Sequence, residues 1–329
     1  MAFKVLVTPT SFNAQTRNQA MGRLMEFADE VVFNPLNRPL QAPEVIGLLD
    51  GVDGYIAGLD YIDASVIQAA PESLKVISRY GAGLDRVDLA AAARRSIAVT
   101  NTPGANAEAV ADMTLGLILA AARGIALADR QIRQGLWPRQ KGMEIFGKKL
   151  GIIGLGKIGR RVARRARGFS MEILVHDPYL DRALAADEGW REVSLTELLK
   201  EAEVISLHAP LTRETRGLIG PQALELVRPG VVIVNTARYE LLDQEAVLKA
   251  LEEGRIGGLG LDVFDREPPE GNPFLAHDKV VLSPHAGSHT QEATERMAIM
   301  AVENLIAVLS GRDCPHLVGP PQAGDQAPG

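Results

Sequence analysis

Three polar residues in the second half of the chain each come after a predicted strand: Arg238 after VVIVNTA, Glu267 after GLGLDVFDR and His285 after VVLSP. Open parallel sheets present their ligands beyond the C-terminal ends of strands, so these positions are where chemistry would be done. The three types also form a usable set. Histidine titrates near neutrality, and a carboxylate hydrogen-bonded to its ring orients it and favours its charged form. Arginine offers a planar fork to a substrate carboxylate and polarises a neighbouring carbonyl. Oxidising a hydroxyl to a ketone needs a base for the hydroxyl proton while hydride leaves for a nicotinamide. Taken singly, each residue has an ordinary structural reading: an arginine after a strand is usually surface charge, and a lone histidine is more often a satisfied polar residue than a catalyst.

The segment KKLGIIGLGKIGRRVARRA supplies a place for such a nicotinamide carrier. Gly154, Gly156 and Gly159 form G-x-G-x-x-G directly after an apolar strand pattern and before a helical one. The first glycine suits a tight turn, the second a close approach of backbone to pyrophosphate, and the third helix–strand packing, with the helix N-terminus aimed at the phosphates. The glycines alone are weak evidence. The next strand, MEILVHD, ends in Asp177, 18 residues after Gly159. A carboxylate there can accept from ribose hydroxyls and repel a 2′-phosphate, which favours NAD over NADP. Asp177 followed by Pro178 also reads as the opening of a turn.

His285 and His289 stand four apart, a spacing that can hold a metal on one helix face. Pro284 and Gly287 put His285 at or before the helix start, and no HExxH pattern or cysteine cluster adds ligands, so no metal is expected. The 35 basic and 41 acidic residues leave a net charge of −6, which offers no global basic field for nucleic acid or an anionic membrane. The local run Arg160, Arg161, Arg164, Arg165 and Arg167 has helical spacing and reads as a solvated or interface-facing side. The one cysteine, Cys314, allows no internal disulfide and fits a reducing, cytoplasmic setting. The start, MAFKVLVTPT, lacks the apolar stretch of a secretory signal, and no run approaches the ~18 apolar residues of a membrane span. The end, GPPQAGDQAPG, reads as disordered.

The elements that position these residues alternate as βαβ units, the pattern of parallel sheets covered by helices. Strands are expected at 5–7, 31–33, 54–57, 76–78 and 98–100, with helices such as 43–49 and 89–95 between them. A long helix at 105–123 follows the turn residues Asn101-Thr102-Pro103-Gly104. A second series of strands is expected at 150–154, 172–176, 204–207, 231–235, 258–262 and 280–283, before a last helix at 291–309. The 329 residues allow two cores.

An ordered series of segments carries a resemblance: SRYGAGLDRVD, VTNTPGANAEAVAD, LGIIGLGKIGR, HAPLTRETRGLI, NTAR, GLDVFDREPP and SPHAGSHT. Across nearly its whole length the chain resembles the D-isomer-specific 2-hydroxyacid dehydrogenases, most closely the phosphoglycerate dehydrogenase branch. The resemblance implies an α/β protein of two doubly wound parallel-sheet domains. A Rossmann-type NAD domain at 102–286 is inserted into a flavodoxin-like substrate domain at 1–101 and 287–329. It implies Arg238 as carboxylate binder, His285 as acid/base and Glu267 as its partner. It also implies that backbone at Tyr80, Gly81, Ala82 and Gly83 cradles the substrate carboxylate. Lys157 and Ile158 face the pyrophosphate, His208, Ala209 and Pro210 line the adenosine side, and Thr236, Ala237, Asp262 and Gly287 meet the nicotinamide end together with Arg238 and His285. The arm 137–147, WPRQKGMEIFG, resembles the segment through which these enzymes form homodimers; Trp137 there has a plain core-packing reading too.

Two departures stand out. Tyr239 follows Arg238 where the family usually has glycine, and Asp112 replaces a usual glutamate. The expected substrate is a small 2-hydroxy or 2-keto acid, D-3-phosphoglycerate first, with Arg79 and Arg139 as candidate ligands for its second anionic group. Glyoxylate, hydroxypyruvate and sulfolactate are alternatives within the class. A formate dehydrogenase is disfavoured because glutamine would replace Glu267. An NAD-sensing interaction protein, like the corepressors built on this fold, is the alternative from another class.

Overall fold

In the first half of the chain, five short strands form one parallel sheet: β1 (Lys4–Val7), β2 (Glu30–Phe33), β3 (Gly54–Ala57), β4 (Val76–Arg79) and β5 (Ala98–Thr100). The computed structural model describes residues 2–318, so the segment GPPQAGDQAPG lies outside the described residues. The strand order is β2-β1-β3-β4-β5, the flavodoxin-like doubly wound arrangement. β3 and β4 are buried on both faces, as strands of a covered parallel sheet are, and β4 takes Ser78 and Arg79 into the interior with it. The C-terminal helix Gln291–Leu309 returns to this sheet, its start capped by Thr290, whose hydroxyl accepts from the Ala293 amide. Gly54 on β3 lets that helix come close, since a Cβ there would lie 2.9 Å from the Leu305 side chain.

Seven further strands form the second sheet: β6 (Lys149–Ile153), β7 (Glu172–His176), β8 (Arg191–Glu192), β9 (Val204–Leu207), β10 (Val231–Asn235), β11 (Ile256–Leu261) and β12 (Val280–Leu282). Their order, β12-β11-β10-β9-β6-β7-β8, is parallel throughout and reverses direction at β6, as in dinucleotide-binding folds. β8 is absent from the sequence-based expectation. It consists of two exposed charged residues paired with Leu174 and Val175, and it carries no β-propensity signal.

The described residues divide into two compact units, 2–106 with 289–318 and 107–288. The crossings fall after Asn106 and Ser288, rather than after residues 101 and 286. Within the second unit the arginine-rich helix Lys157–Ala166 packs beside the helix Ala107–Arg123. Arg161 and Arg165 pair with Glu108, and Arg165 also pairs with Asp112 at 2.6 Å. Asp112 is therefore an ion-pair partner of that helix. Among the described residues no single helix is long and apolar enough to cross a membrane. Ala107–Arg123 with Ile125–Arg133 passes only as a pair bent by 64°, and ten residues of the first are buried in the core.

Candidate active site and cofactor site

The strand β6 ends in a turn that glycine alone fits well. Gly154 has φ +92°, and a Cβ on it would stand 2.6 Å from the Ala209 amide nitrogen. Gly159 packs its α-carbon against the same turn, where a Cβ would meet the Gly154 carbonyl at 2.3 Å. Gly156 differs: nothing lies within 4 Å of the place its Cβ would take. Open space therefore adjoins the N-terminus of the helix Lys157–Ala166, where Lys157 and Ile158 stand in the first turn and the positive end of the helix dipole faces outward.

Asp177, just past β7, bonds both the glycine loop and the turn that follows it. Its Oδ2 accepts from the Leu155 amide at 2.6 Å inside the glycine loop, and its Oδ1 accepts from the Tyr179 amide at 2.8 Å in the turn. An ionised carboxylate has about four acceptor positions, so room remains for ribose hydroxyls. His208 follows β9. Its Nε2 is 2.8 Å from the Ser206 hydroxyl, while its Nδ1 is buried with no hydrogen-bond partner. Burial pushes this imidazole down to about 3, so it is neutral at physiological pH. Ala209 beside it is buried and Pro210 is exposed. Open space at a helix N-terminus, a carboxylate on the glycine loop and an orphaned buried ring nitrogen together fit a dinucleotide.

His285 and Glu267 meet directly, with Nδ1 of the ring 2.7 Å from Oε1 of the carboxylate and both side chains partly buried. His285 has φ +52°, a left-handed conformation uncommon for a residue with a side chain. Asp262, at the end of β11, holds that conformation. Its two oxygens accept from the amides of Ala286 and Gly287, both at 2.8 Å. A Cβ on Gly287 would lie 2.7 Å from Asp262 Oδ2, so the second of these bonds requires glycine. Burial pushes the Asp262 carboxyl up, opposed by bonds from Ser283, Ala286 and Gly287 and by the nearby His285.

Arg238 sits on the turn after β10. Asn235, fully buried, shapes this turn by accepting from the Ala237 amide at 3.0 Å and donating to the Arg238 carbonyl at 2.7 Å. The Thr236 hydroxyl lies 3.0 Å from that of Thr114 on the helix Ala107–Arg123. Asn235, Thr114 and Ser283 were not anticipated. An asparagine that ends a strand and opens a turn was the available signal for the first; the other two act across sequence distance.

In the first unit, the loop Tyr80–Gly83 is fixed by its backbone. The Gly81 amide donates to the Thr102 hydroxyl at 2.9 Å, the Thr102 amide donates to the Gly81 carbonyl at 3.0 Å, and Asn101 Nδ2 donates to the Ala82 carbonyl at 2.8 Å. Tyr80 turns its ring inward onto Phe12, and its hydroxyl donates to the Thr294 carbonyl at 2.8 Å. The expectation that Arg79 binds a second anionic group finds no support in its geometry. It is 5% exposed, and its Nη1 donates to the carbonyls of Ala57 and Tyr80 at 3.2 and 2.5 Å. Arg79 braces this loop from beneath. Arg139 is exposed on the arm of the second unit.

Residues 115–287 match the family described as D-isomer specific 2-hydroxyacid dehydrogenase, NAD binding domain. A glyoxylate reductase of Korarchaeum cryptofilum is 44% identical over 266 residues, which are 79% of this chain and 80% of that protein. A D-3-phosphoglycerate dehydrogenase of Methanocaldococcus jannaschii is 43% identical over 263 residues, 79% of this chain but 50% of that protein. Among solved structures, a glyoxylate reductase from Paecilomyes thermophila aligns with a TM-score of 0.83 at 33% identity, covering 96% of this chain and 98% of the other. The glycine-rich turn at the end of β6 and the sheet that reverses there accord with an NAD-binding domain, and the chain belongs to the D-isomer specific 2-hydroxyacid dehydrogenase family of NAD-dependent oxidoreductases.

Proposed function

We propose that the protein interconverts a short 2-hydroxy acid and its 2-keto acid, with glyoxylate or hydroxypyruvate ahead of the 3-phosphoglycerate couple as substrate. The observation that carries this order is Arg79. A buried guanidinium whose Nη1 donates to the carbonyls of Ala57 and Tyr80 is held by the fold, which argues against one of the two candidate cations for a phosphate.

In this reading Arg238 holds the substrate carboxylate in its fork and polarises the reacting carbonyl. His285, steered by Glu267 through Nδ1, presents Nε2 to the substrate oxygen and takes or returns its proton. Asp262 fixes the turn on which His285 stands. The Tyr80–Gly83 backbone is a further proposed ligand of the carboxylate. NAD, when bound, supplies or accepts the hydride. The first turn of the helix Lys157–Ala166 would hold its pyrophosphate, Asp177 its adenosine ribose, His208 to Pro210 its adenosine side, and Thr236, Ala237, Asp262 and Gly287 its nicotinamide end.

A homodimer in a reducing cytoplasmic setting completes the reading. Its support is apolar surface gathered on one stretch of the second unit: Ile125, Ile132, Leu136, Trp137 and Phe146 are all more than half exposed, Trp137 at 80%. Exposed apolar groups of this size concentrate at interfaces. The test is a panel of 2-keto acids with NADH, read by loss of NADH absorbance, with the particle mass measured alongside. Turnover of phosphohydroxypyruvate far above that of glyoxylate and hydroxypyruvate would reverse the substrate order.

A further inference from the structure

Tyr239, directly after Arg238, is 5% exposed and lies edge-on to Phe274 with ring centroids 6.3 Å apart. Its hydroxyl donates to Gln244 Oε1 and accepts from Asn272 Nδ2 at 3.0 Å. Asn272 is itself buried and engaged on every side. Its Nδ2 also donates to Asp265 Oδ1 at 3.2 Å, its Oδ1 accepts from the Phe274 amide at 3.0 Å, and its own amide donates to the Pro269 carbonyl at 3.2 Å. The segment 265–272, which carries Glu267, therefore closes on itself through Asn272. Tyr239 then ties that closed loop to the segment bearing Arg238.

We propose that the Tyr239 hydroxyl is a positioning group: through Asn272 it sets where Glu267, and with it His285, stands relative to Arg238. This rests on the roles given above to those three residues. Filling space beside Phe274 would need the ring alone, and a buried hydroxyl without partners is costly. Here the hydroxyl makes two bonds, one of them to a residue 33 positions along the chain. Burial, with Asp265 and Glu240 nearby, pushes the phenol up to about 12, so it stays protonated and can donate and accept at once.

The experiment separates the hydroxyl from the ring. Tyr239→Phe, Asn272→Ala and the double variant are compared with wild type, and His285→Ala and Glu267→Gln serve as references for the underlying roles. Glyoxylate and hydroxypyruvate with NADH are the probes. Glu267 bonds the His285 ring, and Asp262, which bonds the backbone after it, lies near enough to interact with its charge, so loosening Glu267 should move the pH midpoint of kcat part of the way towards that of Glu267→Gln. Tyr239→Phe should lower kcat about tenfold with KM for NADH unchanged, and the double variant should be no worse than the poorer single one. In the nucleotide-free chain, amides of 264–276 should exchange faster in Tyr239→Phe. Wild-type kcat, pH midpoint and exchange in Tyr239→Phe would overturn the proposal, as would losses that add fully in the double variant. A lower Tm with unchanged kinetics would overturn it too, by making the hydroxyl merely structural. If His285→Ala and Glu267→Gln keep wild-type turnover, the assigned roles fail and the proposal falls with them; if those variants are impaired and Tyr239→Phe is not, the proposal fails alone.

Discussion

Nδ1 of His285 stands 2.7 Å from Oε1 of Glu267, and the histidine is held at φ +52° by amides that both end on Asp262. The ring is thus oriented from two directions, by a carboxylate on its side chain and by a carboxylate under its backbone. Removing His285 should abolish most turnover while leaving NAD affinity near wild type, measured by NADH fluorescence titration. Glu267→Gln should keep the hydrogen-bonding shape but withdraw the charge that favours imidazolium, moving the pH–rate midpoint to lower pH. An unmoved midpoint would detach Glu267 from the proton transfer.

Cofactor choice tests the glycine loop. Asp177 already accepts from Leu155 within that loop, so its charge is fixed beside the place proposed for the ribose. NAD should be preferred over NADP by well over about tenfold in kcat/KM, because a 2′-phosphate there is repelled and unpaired. Asp177→Asn should narrow the preference chiefly by improving NADP. Equal efficiency of the two cofactors in the wild type would remove the argument.

Most of this frame was legible in the sequence, for definable reasons. Strands such as β3, β7, β9 and β10 are short segments centred on apolar residues between turn residues, and their limits matched the expected ones. The Arg238 and His285 positions stood out because each is polar three residues past a strand, and Glu267 because it lies in the loop after β11. What stayed hidden was cross-chain hydrogen bonding. Nothing in SRYGAG says that Arg79 turns inward to carbonyls, and nothing local links Tyr239 to Asn272. A side chain's direction is settled by packing on residues far away in sequence, whereas local pattern reports only periodicity and turn chemistry.

His208 makes stability depend on pH with a definite sign. Its folded pKa of about 3 lies below the ordinary histidine value, so between roughly pH 6.5 and 3 the unfolded chain binds a proton that the folded chain does not. The stabilisation is present above pH 6.5 and is lost as pH falls towards 3. The residue is partly exposed although its Nδ1 is buried, so the slope should stay below the full ~1.4 kcal/mol per pH unit. Urea unfolding at pH 7.5 and 5 should show wild type losing about 1 kcal/mol more than His208→Gln, which does not titrate. Equal losses would place the ring in water.

Arg238→Lys tests the fork. An ammonium keeps the charge but loses the two parallel donors, and the turn set by Asn235 is unchanged by the substitution. The loss should be at least about 2 kcal/mol in transition-state stabilisation, roughly thirtyfold in kcat/KM. A lysine variant near wild type would assign the carboxylate to other groups.

The substrate order rests on how many cations remain for a second anionic group. Arg79 bonds Ala57 and Tyr80 and is buried, whereas Arg139 is exposed on the arm whose apolar neighbours we assign to a dimer. If Arg139 met a phosphate, its bonds would be charge-assisted and often bidentate, so its removal should damage a phosphorylated acid selectively. If it only decorates the arm, Arg139→Ala should alter phosphohydroxypyruvate and glyoxylate reduction alike. The proposed order predicts the second outcome: kcat/KM for both acids changed by less than about threefold, and equally, with particle mass unchanged. A loss confined to phosphohydroxypyruvate, at constant mass, would restore 3-phosphoglycerate as the substrate and make Arg139 its phosphate ligand.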